Sequence, residues 1–163
     1  MKTPGWLAAG LLLGCIFSAA AQRLDDSASP RARVQAPVVL SERGQPLAED
    51  ADARFAMIHF GQVEYRLSTA RYLGRRARIH FVVPALIPGL RAPAGLQVEW
   101  RGNGLFSDGS AHAGERRLVW SGTVRDAWMT ERLDLRARVD LRELRLPGGM
   151  LGFESFFEIE VLP

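Results

Sequence analysis

Three histidines are the residues of this chain best suited to metal chemistry. His59 and His80 each lie in an apolar stretch, and His112 lies in a glycine-rich one. If two of them met on neighbouring strands, a carboxylate or the third imidazole would complete a site for zinc or a similar ion. Their spacing matches no metal-ligand motif, so a structural role is the simpler interpretation. We predict neither a metal nor another cofactor.

The hydroxyl and carboxyl groups give an equally weak catalytic signal. Ser110 and His112 lie two residues apart, but a catalytic dyad needs its base held at hydrogen-bond distance by a third group. Glu154, Glu158 and Glu160 could supply the paired carboxylates of a glycosidase, yet their spacing is typical of the solvated face of a strand. We therefore predict a non-catalytic protein, with a small envelope hydrolase as an alternative.

The elements that must position these residues are β-strands, because apolar side chains recur at every second position. The clearest case is 132–142, where Leu133, Leu135 and Val139 alternate with charged residues. The other predicted strands are 33–41, 54–61, 62–68, 75–83, 96–101, 115–124 and 153–161. Short strands with turn-rich connections predict an all-β fold, an antiparallel β-sandwich of the Ig-like or jelly-roll type with about 7–9 strands.

Two further expectations concern how these strands are arranged. Segment 84–95 carries three prolines, which predicts a crossover between sheets rather than a central strand. If 132–142 pairs with 153–161, the arginines of the first would face the glutamates of the second, each pair contributing ~0.2–1 kcal/mol.

The first 21 residues have the layout of a secretory signal peptide. Lys2 precedes an apolar run that ends in small residues at Ala21, which predicts cleavage after Ala21. The run is shorter than the ~20 residues of a membrane-spanning helix, so a retained anchor is the last of three alternatives. Cys15 follows a lipobox-like Leu-Leu-Gly, so lipidation at Cys15 is the main alternative. The apolar run continues past Cys15, and this favours cleavage after Ala21.

The predicted mature chain is therefore periplasmic or secreted, or lipid-anchored via Cys15 in the alternative. Its polar residues 22–32 predict a flexible lead-in, and 33–163 predict a single β-sandwich domain. Cys15 is the one cysteine, so no disulfide is expected. No transmembrane segment is expected in the mature part.

The cations of this chain are almost all arginines, since Lys2 is the only lysine. The acids nearly balance them, so we do not predict a nucleic-acid binder, which needs a concentrated basic face. The densest positive segment is 71–78, a predicted hairpin turn about Gly74. Guanidinium forks suit phosphates and carboxylates. The candidate binding residues here are Arg71, Tyr72, Arg75, Arg76 and Arg78. The alternative is an exposed hairpin without a partner.

A second candidate surface is the glycine-rich loop 102–114. Loops on rigid sandwiches often carry recognition, and glycines predict that this one is mobile. Leu105 and Phe106 are apolar in polar company, which makes them candidate partner contacts together with His112. Alternatively, Phe106 folds back and closes the end of the sandwich.

These observations favour an exported, non-catalytic bacterial envelope protein that acts as a binding or structural module. Its partner would be an envelope protein or an anionic surface. The alternative is a fimbrial or secretion-accessory subunit that assembles by strand addition. No motif specific to such subunits is present, so this alternative depends on the fold alone.

Overall fold

The computed structural model of the protein describes residues 21–30, 39–145 and 151–163. The strands in these ranges are β1 (Gln22–Arg23), β2 (Val39–Ser41), β3 (Phe55–Ser68), β4 (Arg76–Val82), β5 (Leu96–Gly102), β6 (Gly109–His112), β7 (Arg116–Thr123), β8 (Trp128–Asp140) and β9 (Phe156–Val161). Short 3-10 helices span Leu47–Glu49, Ala70–Tyr72, Pro93–Gly95 and Leu141–Glu143.

The strands form two antiparallel sheets. The four-stranded sheet has the order β1-β9-β4-β7, and the five-stranded sheet has the order β2-β3-β8-β5-β6. This arrangement confirms the predicted antiparallel β-sandwich. The proline-rich segment 84–95 connects β4 of one sheet to β5 of the other, which confirms the predicted crossover. Among the described residues, no helix is both long and apolar enough to span a bilayer.

The core lies between the two sheets and follows the alternation of the sequence. Ala77, Ile79 and Phe81 of β4 are fully buried, and so is Leu133 of β8. An aromatic cluster fills the centre, where the ring of Phe81 lies 4.5 Å from Trp100. Burying each large apolar side chain contributes about 1.5–3 kcal/mol, so these inward rows hold the sheets together.

The pairing of β8 corrects one expectation. β8 lies between β3 and β5 in one sheet, whereas β9 belongs to the other sheet, so the two do not face each other across a ladder. Arg132 of β8 pairs with a carboxylate of β3 instead, since its Nε lies 3.1 Å from Glu64 Oε2, whereas Arg136 pairs with Asp134 of β8 itself. A strand with a charged outer face can pair with many other strands, so the burial of its inward face determines which strands it pairs with.

Strand boundaries differ at two places. The predicted strands 54–61 and 62–68 are one strand, β3. A bulge at Gly61 shifts the alternation by one residue, so that Ala56 before it and Tyr65 after it both point inward. Gly61 has φ +70°, a conformation that favours glycine. The predicted loop 102–114 contains β6, which pairs with β5 from Trp100 to Gln97.

The start of the described chain is also more ordered than expected. Gln22 and Arg23 pair with Ile159 and Glu158 of β9. Leu24 is buried, and its N–H donates to Phe157 O at 2.8 Å. The predicted flexible lead-in is therefore wrong for these residues, because an apolar side chain there joins the core. Residues 1–20, with Cys15 and most of the predicted signal, lie outside the described residues, as do 31–38.

Candidate functional site

One end of the sandwich collects three connections, and we call it the arginine end. These connections are 69–75 between β3 and β4, 103–108 between β5 and β6, and 124–127 between β7 and β8. Thr69 N–H donates to Ala127 O at 2.9 Å, and Gly74 N–H donates to Val124 O at 2.8 Å. The first and third connections are therefore bonded into one surface.

The segment 69–75 is a tight turn that presents its arginines outward. Tyr72 N–H donates to Thr69 O at 2.9 Å, and Arg75 N–H donates to Tyr72 O at 3.0 Å. Gly74 has φ +76°, where a side chain would be strained, so the glycine sets the turn as predicted. The predicted hairpin is wrong, however, because 69–75 leads from β3 in one sheet to β4 in the other, and these two strands do not pair. The crossover holds its guanidinium groups on a backbone fixed by these hydrogen bonds.

The arginines of this end have no anionic partner of their own. Arg71, Arg75, Arg76 and Arg78 are exposed, and so is Arg125 on the neighbouring connection. Among the described residues, none of the five has a carboxylate oxygen within 4.0 Å.

Most arginines elsewhere are paired. Of the thirteen other described arginines, Arg91, Arg101, Arg138 and Arg145 form no ion pair, and nine do, namely Arg23, Arg43, Arg54, Arg66, Arg116, Arg117, Arg132, Arg136 and Arg142. Glu160 stands opposite Arg78 in the ladder, yet the two form no ion pair. The arginine end, with Arg76 and Arg78 of the adjoining β4, therefore has an excess of positive charge, because its five unpaired arginines outnumber Asp108 and Asp126 of the same connections. Hydrogen bonds from Ser27, and then the charge of Arg71, lower the pKa of nearby Asp25.

Tyr72 has a structural role in this surface. Its side chain is half-buried, and its hydroxyl donates to Gln22 Oε1 at 2.8 Å, which joins the connection 69–75 to β1. Leu73 takes the exposed position beside it, with 49% of its surface accessible. The apolar group that a partner would meet among these arginines is therefore Leu73 rather than Tyr72.

The connection 103–108 is held by a buried carboxylate. Glu131 of β8 is 4% exposed. Its Oε2 accepts the N–H groups of Leu105 at 2.7 Å and Phe106 at 2.8 Å, and its Oε1 accepts Asn103 N–H at 3.1 Å. Oε1 also accepts Arg132 N–H at 2.8 Å. The backbone of this connection is therefore anchored, contrary to the predicted mobility.

The two apolar residues of this connection have different fates. Phe106 is 4% exposed, and its ring lies 5.4 Å from that of Phe157 in the core. The expectation that Phe106 contacts a partner is therefore wrong, because its ring closes the end of the sandwich. Leu105 remains 39% exposed and keeps its place at the surface.

The third residue predicted for this surface lies elsewhere. His112 ends β6 and pairs in register with Gln97 near the start of β5, whereas Leu105 follows the end of β5. His112 is exposed, and its N–H donates to Glu115 Oε2 at 3.0 Å. The structure therefore does not bring His112 together with Leu105.

A groove of about 510 Å³ lies beside Leu105, between β7 and the start of β8. Its apolar lining is Leu105, Trp120, Trp128 and Met129, and its polar lining includes Arg125 and Asp126. Trp128 is 51% exposed, which is unusual for so large an apolar side chain. We call this feature the tryptophan groove. It adjoins the arginine end through Arg125.

The histidines do not form a metal site. His59 lies on β3 of the five-stranded sheet, in register with Arg136, and is exposed. His80 lies on β4 of the other sheet, where its neighbours Ile79 and Phe81 point into the core. The two imidazoles are therefore on opposite outer faces. Among the described residues, no three His, Cys, Asp or Glu side chains gather as metal ligands would.

Sequence reasoning missed Glu131 and left Trp128 undecided. Glu131 occupies an inward position between Met129 and Leu133 in the alternating pattern of β8, and an acid in an apolar row was the available signal. Arg125 carried no signal, because its proximity to the connection 69–75 depends on how the sheets pack.

Comparisons with known proteins give no further guidance. No protein-family model, curated protein or solved structure matches the chain. A function must therefore be argued from the arginine end and the tryptophan groove.

Proposed function

We propose that this protein is an exported, non-catalytic bacterial envelope protein whose arginine end binds an acidic protein partner. The observation that carries the proposal is a cluster of five arginines without carboxylate partners among the described residues, whereas nine of the thirteen other described arginines are paired; the five are Arg71, Arg75, Arg76, Arg78 and Arg125. Each unpaired guanidinium can donate hydrogen bonds to a carboxylate of another molecule.

The strength of such binding follows from ordinary surface electrostatics. A single exposed ion pair contributes about 0.2–1 kcal/mol, so one arginine would not hold a partner. Several bidentate pairs on a fixed turn act together, and their summed field also speeds encounter with an anion. Salt screens both effects, so binding should weaken as ionic strength rises.

An anionic lipid surface is the second candidate partner. Leu73 favours it, because this exposed side chain lies among the arginines of the connection 69–75. Basic residues near an anionic bilayer contribute about 1 kcal/mol each, and an inserted leucine would add apolar burial. Leu73 is a single side chain, whereas the tryptophan groove nearby suits a protein, so we place the protein partner first.

The proposed location depends on the N-terminal segment. Cleavage after Ala21 would leave Gln22, the first residue of β1, as the new N-terminus. The protein would then be periplasmic or secreted. Lipidation of Cys15 would leave residues 16–21 as a tether of about 20 Å at full extension, which would hold β1 near a membrane leaflet.

The proposal is tested with defined probes and two matched variants. Binding of fluorescein-labelled poly-L-glutamate is measured by anisotropy, and binding of phosphatidylglycerol vesicles is measured by co-sedimentation. The test variant is R71Q/R75Q/R76Q. The control variant R91Q/R138Q/R145Q removes the same charge at arginines that also lack an ion pair but lie away from this end.

We expect poly-L-glutamate to bind the wild-type protein. Its Kd should be about tenfold higher for the test variant and nearly unchanged for the control variant. Equal losses in both variants would mean that only net charge matters, and the proposal would fail. Vesicle binding without poly-L-glutamate binding would replace the acidic protein with a lipid surface.

A further inference from the structure

We infer that the free edge of β7 at Trp120–Thr123 accepts an extended peptide strand from the partner, with apolar side chains on one face and carboxylates on the other. This inference rests on the proposed function, because the carboxylates would meet arginines of the arginine end. It adds a backbone-pairing mode that charge attraction alone does not require.

The backbone of β7 is open along this stretch. β7 is the last strand of its sheet, with β4 as its one neighbour. Val124 N–H donates to Arg75 O at 2.9 Å, and N–H directions alternate along a strand, so Ser121 and Thr123 point their N–H groups away from β4. In the described ranges, no hydrogen bond outside the β4 ladder involves Trp120–Thr123.

The lower part of the same edge is already occupied. Val119 O accepts Ser107 N–H at 2.9 Å and Ser107 Oγ–H at 3.0 Å. The connection 103–108, fixed by Glu131, therefore covers the edge up to Val119 and stops there. An added strand would begin pairing where this cover ends.

The tryptophan groove would receive the inward side chains of an added strand. Trp120 and Gly122 occupy inward positions of β7, opposite Ile79 and Ala77 of β4. Gly122 has no side chain, and a Cβ there would lie 3.0 Å from the Trp120 ring, so the indole lies across this glycine. Leu105, Trp128 and Met129 form the other lining. Apolar side chains of an inserted strand would be desolvated here.

The outer face of the same sheet favours carboxylates. Arg76 pairs in register with Thr123, and Arg78 pairs with Ser121. Ser121 and Thr123 are short, so they leave the guanidinium groups accessible from the edge. An added strand would lie two strand spacings from β4, about 10 Å, a gap that an arginine and a glutamate side chain span together.

The fold already contains this pattern on the other side of β4. β9 places Phe157 and Ile159 in the core, and its Glu158 and Glu160 stand opposite His80 and Arg78. β4 therefore already has a neighbouring strand whose carboxylates point outward and whose apolar side chains point inward. A peptide on β7 would repeat it on the free edge.

A second copy of this chain suits the edge less well. Two β7 strands paired at Trp120–Thr123 would place the unpaired Arg76 and Arg78 of both copies on one continuous outer face. Like charges across a ladder are destabilising. The acidic partner strand relieves the positive field, whereas a second β7 adds to it.

The probe is a labelled, end-blocked Val-Glu-Val-Glu-Val-Glu-Val peptide, whose binding to the full-length protein is measured by fluorescence anisotropy. One analogue carries N-methyl groups on two adjacent central residues, which blocks both edges of the strand. Another replaces each glutamate with lysine. Ser121→Pro removes an outward N–H from the edge, and Ser121→Ala is its matched control, which keeps that N–H.

The expected result is that the parent peptide binds, and that both analogues and the S121P variant bind at least about tenfold more weakly. S121A should stay within about twofold. If circular dichroism shows that S121P misfolds, strand addition is tested by the binding of the N-methylated analogue to the wild-type protein. Equal binding of parent and N-methylated peptides would overturn strand addition while leaving the poly-L-glutamate result intact. A concentration-dependent dimer that S121P abolishes would assign the edge to a second copy and also overturn the inference.

Discussion

Glu131 lies beneath Phe106 and accepts its backbone N–H at 2.8 Å. The same carboxylate accepts the N–H of Leu105 at 2.7 Å. One buried acid therefore fixes the backbone of two adjacent residues, of which Phe106 is buried and Leu105 is exposed. Phe106 turns inward to the aromatic core, and Leu105 lines the tryptophan groove. The proposed binding surface therefore depends on an acid that no partner would touch.

Replacing Glu131 should release the connection 103–108. Glu131→Ala leaves four N–H donors without their acceptor, and we expect a loss of about 3 kcal/mol in the free energy of unfolding. Glu131→Gln keeps one acceptor oxygen and should lose less. Urea denaturation measures the stability, and hydrogen exchange at Leu105 and Phe106 measures the local effect. Glu99→Ala, on the exposed face of β5, is the control; unchanged exchange in E131A would contradict this role of Glu131.

Gly102 should tolerate no side chain. A Cβ at this position would collide with the carbonyl oxygen of Phe106, because the backbone of the turn passes directly over it. We expect Gly102→Ala to destabilise the protein by about 2–3 kcal/mol through overpacking. Gly152→Ala is the matched control, since nothing lies within 4 Å of the Cβ it would add. Similar thermal midpoints for the two variants would show that the turn relaxes freely.

His80 should make the fold less stable in mild acid. Burial of the ring, followed by the charge of Arg116, lowers the pKa of His80 below its usual 6.5. Among the described residues its Nδ1 has no hydrogen-bond partner. A depressed pKa means that the unfolded chain takes up a proton first, so this contribution to stability is present above pH 6.5 and is lost as the pH falls below it.

The measurement is the free energy of unfolding from urea titrations between pH 7.5 and 5. His80→Gln should flatten the fall in stability over this window, whereas His112→Gln, at an exposed position, should leave it as it is. Glu158, Glu160 and Arg78 also face this ring. An identical pH profile for the wild type and H80Q would show that another group titrates.

Export is predicted to produce a chain that begins at Gln22. Mass spectrometry of the protein recovered from a bacterial host should give the mass of residues 22–163, because the small residues before Gln22 fit a signal-peptidase site. Cys15→Ala should not change this mass. A diacylglyceryl modification on Cys15, lost in C15A, would instead establish the lipid-anchored alternative.

The sandwich and its inward rows could be predicted from the sequence because alternation states which side chains share a face. Leu133, Ala137 and Val139 of β8 are buried in this way. The alternate residues Ala77, Ile79 and Phe81 of β4 are buried as well. Strand pairing could not be predicted, since β8 and β9 both have charged outer faces that suit many neighbours. The structure separates them into different sheets.

The candidate site was predictable in part. The turn at Gly74 and its exposed arginines stand where the charge density indicated, but the turn crosses between the sheets instead of closing the predicted hairpin. The connection 103–108 was misjudged because its glycines suggest mobility, whereas its order depends on Glu131, a residue about 25 positions later. β6 escaped notice for a similar reason, since its four residues pair through the backbone and carry no apolar alternation.

The central claim is that one end of the sandwich is the binding surface, and backbone NMR during titration with poly-L-glutamate tests it most directly. The account predicts that chemical-shift changes concentrate in 71–78 and 120–128 and fade as salt is added. Changes centred instead on the crossover 84–95, or on the outer face of β3 and β8, would contradict it.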